Sequence, residues 1–299
     1  MTTIRSAVCV RCPPRWLLLR VETDDGKIGW GEAIGDLHEE VEKALTAIGE
    51  RVEGSSIHDI TRTIETQRKT RFWRDGPILD TAISALEMAL WDLKGKELGA
   101  PVHDLLGGRV RERVRVYRNL WGRNPEEFAD SAREAMAQSM TAVKVSPAGP
   151  TPDVVSRAAL NDMVDVVRAV REAVGPNTDL AIDLHGRLTP AASRRAVHAL
   201  APMDPFFIEE PCLPDGSPSH IADLRALRTA QPVAIATGER LRSAHAFAQH
   251  LLPSPVVDII QPDVSMVGGI RASVEIGAMA SAAQVAMAPH CPYGPIQFA

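Results

Sequence analysis

The sequence is poor in the features that mark several classes of function. It has four cysteines in 299 residues. Cys9 and Cys12 form one C-x-x-C, but the second pair or His pair of a zinc site is missing. Their spacing puts them on opposite faces of a strand, so they read as ordinary thiols, as do Cys212 and Cys291. Positive charge is not in excess: 33 Lys and Arg stand against 38 Asp and Glu, a net charge of −5. That leaves no basic patch for nucleic acid or an anionic membrane surface. The one basic run, "RVRERVRV" (109–116), reads as a solvated strand or linker. No stretch approaches the roughly 20 apolar residues of a membrane span. The N-terminal "MTTIRSAVCVRC" lacks the apolar core of a signal peptide, so the expected location is the cytoplasm. A Gly-rich phosphate-binding turn after an early strand is also missing. That counts against a doubly wound open sheet, the alternative architecture.

What is present is ordinary in composition but ordered in pattern. Apolar residues at 45% and charged residues at 24% suit a globular enzyme. Residues 1–113 read as one α+β unit. "WLLLRVET" (16–23) and "KIGWGEA" (27–33) are strand-like and flank the hairpin signal "DDG". A helical stretch follows near 38–52. In "ILDTAISALEMALWDLKGKELG" (78–99), Leu79, Ala82, Ile83, Leu86, Leu90 and Leu93 recur at three and four, and Gly99 and Pro101 stop the helix.

From residue 114 to 299, short apolar strands alternate with amphipathic helices. The candidate strands are 141–146, 180–185, 206–211, 233–239, 257–263 and 285–290. After the first, they recur every ~24–28 residues, the size of a βα unit. Such a series predicts a parallel sheet covered by helices, and five or more units point to a (β/α) barrel.

The candidate strands from 180 onward end in ionisable residues: Asp183 and His185, then Glu209 and Glu210, then Glu239, Asp263 and His290. One acid after a strand is most often a helix cap or turn residue. Five successive strands ending so are not explained by capping. In a barrel these ends converge on one mouth, where carboxylates would repel one another unless a cation is held there. An all-oxygen donor set favours Mg²⁺, or Mn²⁺, over zinc. Asp183, Glu209 and Glu239 make the expected ligand triad, and Glu210 is expected to point the other way. Asp183 and His185 share parity, so both should face the site. A hard cation beside a base suits proton abstraction next to a carboxylate. Asp263 and His290, ending adjacent strands, are placed to pair as oriented base.

At these residues the sequence resembles the enolase superfamily, in its mandelate racemase branch. "TDDGKIGWGEA" and "AISALEMALWDLKGKELGAPVHDLLGG" are similar to that family's capping domain. The resemblance implies a modified (β/α)₇β barrel behind it, with Asp183, Glu209 and Glu239 as metal ligands and Asp263–His290 as the dyad. Within the branch, "PPRWLLLRVETDDG", "DLHGR", "ATGER", "IIQPDVSMVGG" and "APHCPYGPI" resemble galactonate dehydratases. Racemase relatives end the second barrel strand with Lys-x-Lys, where this chain has Lys144-Val145-Ser146. The implied reaction is loss of water from a sugar acid, with His290 taking the C2 proton, His185 protonating the departing C3 hydroxyl, and a 2-keto-3-deoxy acid as product. Lys144 is assigned either to the substrate carboxylate or to a helix-terminus or surface ion pair. Arg15, after a Pro-Pro loop, is assigned either to substrate or to solvent.

Family members continue for several tens of residues beyond the position of "GPIQFA". The last barrel strand and a further carboxylate are therefore expected to lie outside this sequence. The alternatives are an epimerase or racemase using His185 and His290 as opposed bases, and a non-catalytic barrel. The implied partners are a small sugar acid and, as for most soluble proteins of this kind, further copies in a symmetric homo-oligomer.

Overall fold

The computed structural model describes residues 2–214, 217–230 and 232–299. The chain begins with a three-stranded antiparallel sheet, β1 (Ile4–Cys12), β2 (Trp16–Thr23) and β3 (Ile28–Ala33), in that order. Alternation along β2 is strict: Leu17, Leu19, Val21 and Thr23 are buried and the residues between them are partly exposed. A half-buried strand requires that period of two. Against the buried face lie α1 (His38–Val52), α2 (Ile60–Lys69) and α3 (Pro77–Leu98), and the short α4 (Val102–Leu105) follows α3. The hairpin, α1 and α3 fall where the sequence pattern predicts them. β1 and α2 add to that pattern.

α3 departs from the simple one-stripe expectation. Ile83, Leu86, Leu90 and Leu93 face the sheet as expected, but Asp80, Ser84 and Glu87 on the other side are buried too. The reason is that α3 is sandwiched. Gly29 and Gly31 of β3 bring the sheet against its backbone at Ala89 and Ala85, where a Cβ would collide. Its polar side meets the second unit. Glu87 accepts from the backbone N–H groups of Ile270 (2.7 Å) and Arg271 (3.0 Å), and Ser84 Oγ accepts from Gly268 N (3.0 Å). Asp80 pairs with Arg68 and Arg242.

The second unit alternates strands and helices: β4 (Arg118–Asn119), α5 (Pro125–Ala137), β5 (Ala142–Val145), α6 (Arg157–Val174), β6 (Asp179–Asp183), α7 (Pro190–Leu200), β7 (Phe207–Glu209), α8 (Pro218–Ala230), β8 (Ile235–Thr237), α9 (Ala244–Leu251), β9 (Ile259–Ile260), α10 (Ile270–Ala282), β10 (Ala286–Met287) and α11 (Pro295–Phe298). The strands form one curled parallel sheet in chain order from β4 to β10. β4 is a seventh strand, too short at two residues to carry a periodic signal. The basic run 109–116 is neither strand nor helix and is exposed.

One side of this sheet packs on the helices, with Ile182, Ile208, Ile235 and Ile260 among the buried residues there. The other side forms a smaller inner cluster of Ala181, Phe207, Ala236 and Ile259, with Tyr117 and Ala288 against it. A cavity of about 1240 Å³ lies along the sheet edges, lined by Tyr117, Asn119, Met287 and Ala288 and reaching Lys144 and His290. Among the described residues, no helix is long and apolar enough to cross a membrane.

Candidate functional site

Strand parity decides which acids face inward. Asp183 is two residues beyond Ala181, and Glu209 two beyond Phe207, so both follow the inner cluster. Glu210 lies just past β7 with φ +43°, so parity does not govern it; its carboxylate is turned to the end of β8, away from the trio as the sequence expects. Its Oε1 accepts from Thr237 Oγ1 (2.5 Å) and Gly238 N (3.0 Å). Burial pushes its carboxyl up to about 8, assisted by the nearby charge of Glu239.

Glu239 does not follow from parity, since Ile235 and Thr237 alternate with the inward Ala236. It reaches the site because β8 ends at Thr237 and Gly238 turns the chain with φ +146°, a region that favours glycine. Candidate ligand oxygens of Asp183, Glu209 and Glu239 then lie within 4.8 Å of one another. The helices after β6 and β8 are capped by Thr189 and Ser243. Asp183 and Glu239 are therefore free of the capping role that a strand-end acid often has.

His185 also departs from the sequence argument. β6 stops at Asp183, and His185 has φ +53°, so it is not on a strand and parity does not apply to it. It is brought back by a turn in which Asp183 Oδ1 accepts from His185 N (2.7 Å). That turn puts His185 Nε2 3.0 Å from Asp183 Oδ2. Arg240 supports the turn by donating to the His185 carbonyl (3.1 Å). Burial pushes the His185 imidazole below its ordinary pKa, and its Nδ1 makes no hydrogen bond.

His290 and Asp263 meet as the sequence implies. Their chain segments form a parallel bridge beyond β9 and β10. His290 Nδ1 lies 2.8 Å from Asp263 Oδ2, and its Nε2 lies 3.1 Å from Glu239 Oε2. Burial lowers the His290 pKa, but hydrogen bonds to Asp263 and Glu239 outweigh it and carry the group up to about 10. The same pairing overcomes burial at Glu239 and lowers it to about 2.

Lys144 settles into the triad. Its buried Nζ is 2.8 and 2.9 Å from the two oxygens of Glu209 and 3.5 Å from Asp183, and it stands 5.2 Å from the Tyr117 ring centroid. The pair is buried, unlike the helix-terminus or surface ion pair that the sequence offered as the alternative to substrate binding. Burial acts to lower the Lys144 pKa, but the Glu209 and Asp183 charges prevail and raise it well above the usual lysine range. Burial raises Asp183 and Glu209, and Lys144 opposes that rise. Arg15 is exposed: it donates to the Pro292 carbonyl (2.5 Å) and lies 5.3 Å from the Tyr293 ring centroid. Gln261, fully buried beside Glu209, is a neighbour that strand-end reasoning misses because it is neither acid nor imidazole.

Two buried carboxylates and the partly exposed Glu239, an all-oxygen donor set, fit a hard divalent cation. The residues in place already balance that charge with an ammonium and an imidazole.

The profile of the Enolase C-terminal domain-like family matches residues 127–299, and that of the Mandelate racemase / muconate lactonizing enzyme, N-terminal domain, matches residues 3–107. The chain belongs to the enolase superfamily. Among curated superfamily relatives, a D-galactonate dehydratase of Variovorax paradoxus is 37% identical over 97% of this chain and 75% of its own length. A D-gluconate dehydratase of Thermoproteus tenax is 38% identical over 95% of this chain and 58% of its own length. Among solved structures, a mandelate racemase/muconate lactonizing enzyme from Sulfitobacter sp. superposes with a TM-score of 0.87 at 31% identity, covering 99% of this chain and 80% of that one. Enzymes of this superfamily use a divalent metal, and Asp183, Glu209 and Glu239 are the residues that could hold one here.

Proposed function

We propose that this protein is a hydro-lyase that removes water from a sugar acid, with Mg²⁺ (or Mn²⁺) as its cofactor and Asp183, Glu209 and Glu239 as the ligands. The observation that carries the reading is the placement of two different imidazoles around one carboxylate trio. His290 is backed by Asp263, while His185 is free at Nδ1. The β5 end has Ser146 where a second lysine would serve a two-base racemase. The names of the relatives direct the substrate to galactonate or gluconate.

A bound divalent cation supplies positive charge that stabilises the enediolate formed when a carboxylate's α-proton is lost. The chain's own residues do the rest. Nε2 of His290 now pairs with Glu239; with Glu239 given over to the cation, that nitrogen would be released to accept the C2 proton, while Asp263 holds the ring through Nδ1. The C3–O bond breaks as the enediolate collapses. His185 gives a proton to the departing hydroxyl, which leaves as water, and the enol product tautomerises to a 2-keto-3-deoxy acid. Lys144 holds Glu209 and Asp183 in place, and Arg15 anchors the loop after His290.

The test is a panel of aldonic acids with MgCl₂, assayed for keto acid with a carbonyl reagent, with and without EDTA. One acid is expected to give a metal-dependent product that His290→Asn does not form. Failure of every acid with metal bound, or full activity in His290→Asn, refutes the reading. Deuterium at C2 of recovered substrate without keto acid identifies an epimerase instead. Light scattering tests the expected homo-oligomer.

A further inference from the structure

Asp263 has two oxygens, and only Oδ2 holds His290. Its Oδ1 accepts from Ser265 N (2.8 Å) and from the side-chain amide of Gln297 (2.6 Å). Gln297 is buried, and each of its other polar contacts is also to a named partner. Its Oε1 accepts from Tyr293 N (3.1 Å), and its backbone N–H donates to Glu32 Oε2 (3.0 Å). Glu32 Oε2 also accepts from Ile296 N (2.9 Å). Glu32 lies on β3 of the antiparallel sheet and is fully buried. Gly294 leaves room for its carboxylate, since a Cβ there would collide with Glu32 Oε1.

We propose that Glu32 and Gln297 are positioning residues for the base, linking the first unit of the chain to His290 through Asp263. The proposal rests on the reading of His290 as the base. A carboxylate held at one oxygen can rotate and let the imidazole tip. Held at both, it fixes the ring plane and the direction of Nε2. Neither residue touches the carboxylate trio, so they act on the direction of the base and leave the ligand set alone. The consequence is that the antiparallel unit takes part in aligning the base as well as in covering the site.

Gln297→Met keeps the length and volume of the side chain and deletes the donor. Its kcat is expected to fall by about 10- to 100-fold, as for a misdirected reacting group, with KM and Mg²⁺ affinity within about threefold of wild type. Glu32→Gln is expected to lower kcat by a smaller factor. The second readout does not depend on turnover: the downfield proton NMR signal of the His290 ring N–H, assigned by its loss in His290→Asn. It is expected to broaden or move upfield in both variants. An unchanged kcat with an unchanged signal overturns the proposal. So does a loss of kcat matched by a loss of thermal stability with the signal unmoved, because that marks a structural role alone. If wild type makes no keto acid while the signal still responds in both variants, the positioning stands and the proposed reaction fails.

Discussion

Lys144→Met is the most informative single change. Lys144 Nζ lies within 3.5 Å of three oxygens on two buried carboxylates. At an effective dielectric of ~20, the Lys144–Glu209 charge pair near 3 Å is worth about 5–6 kcal/mol before desolvation. Removing one partner of a buried pair leaves a net loss of about 3–5 kcal/mol. For a chain of this size that lowers the melting temperature by roughly 6–10 °C at ~2 °C per kcal/mol. The assay is thermal unfolding followed by circular dichroism in EDTA, repeated with MgCl₂. The variant should be much less stable than wild type in EDTA. It should also gain more from Mg²⁺, because a divalent cation meets a site with one less positive charge. Combining Lys144→Met with Glu209→Gln should cost less than the sum of the two, since the double change removes both halves of a pair. The reasoning fails if Lys144→Met lies within ~1 kcal/mol of wild type in EDTA, or if Mg²⁺ shifts both proteins equally.

Three further outcomes follow from the same geometry. His185→Asn should retain exchange of the C2 proton with deuterated solvent but form keto acid at least ~100-fold more slowly, and loss of exchange as well would remove His185 from the acid role. The His290–Glu239 pair sets a pH dependence in metal-free protein. His290 is raised to about 10, so its contribution is complete below about 6.5 and is lost as pH rises toward 10. Glu239 is lowered to about 2, so its share is present above about 4.5 and is lost as pH falls toward 2. Denaturant titrations should therefore show stability falling above pH 6.5 by at most about 1.4 kcal/mol per pH unit, and the fall should shrink in Glu239→Gln. An equal slope in both proteins would contradict the pairing. Finally, Gly31→Ala forces a Cβ into the Ala85 carbonyl. It should destabilise the protein by at least ~2 kcal/mol in urea unfolding, and a neutral result would mean that β3 and α3 can separate at little expense.

Several features could be read from the sequence because their causes are local. The stripe of Ile83, Leu86, Leu90 and Leu93 specifies a helix from side-chain spacing alone. The strand-like run from Trp16 to Thr23, ending at the hairpin signal "DDG", likewise specifies a strand. The acids and imidazoles at or just past the strand ends mark Asp183, Glu209, Asp263 and His290 as candidates, since extended chain in a curled sheet sends every second residue to one side.

Other features depend on distant chain segments or on backbone turns that parity does not describe. Glu239 enters the trio through the turn at Gly238, and His185 through its left-handed conformation. Asp80, Ser84 and Glu87 of α3 look like the solvated side of a surface helix, and packing against α10 and its neighbours buries them. No local pattern around Lys144 encodes the buried pair that folding makes, 2.8 Å from a residue 65 positions away. Glu32 and Gln297 stand 265 residues apart and meet through a backbone hydrogen bond that no side-chain pattern encodes. The sequence by itself determined which chemical groups are available and on which elements they sit, because periodicity and propensity act over a few residues. Only the tertiary structure decided which of those groups touch and which charges are balanced, because contact and desolvation belong to the whole packed chain.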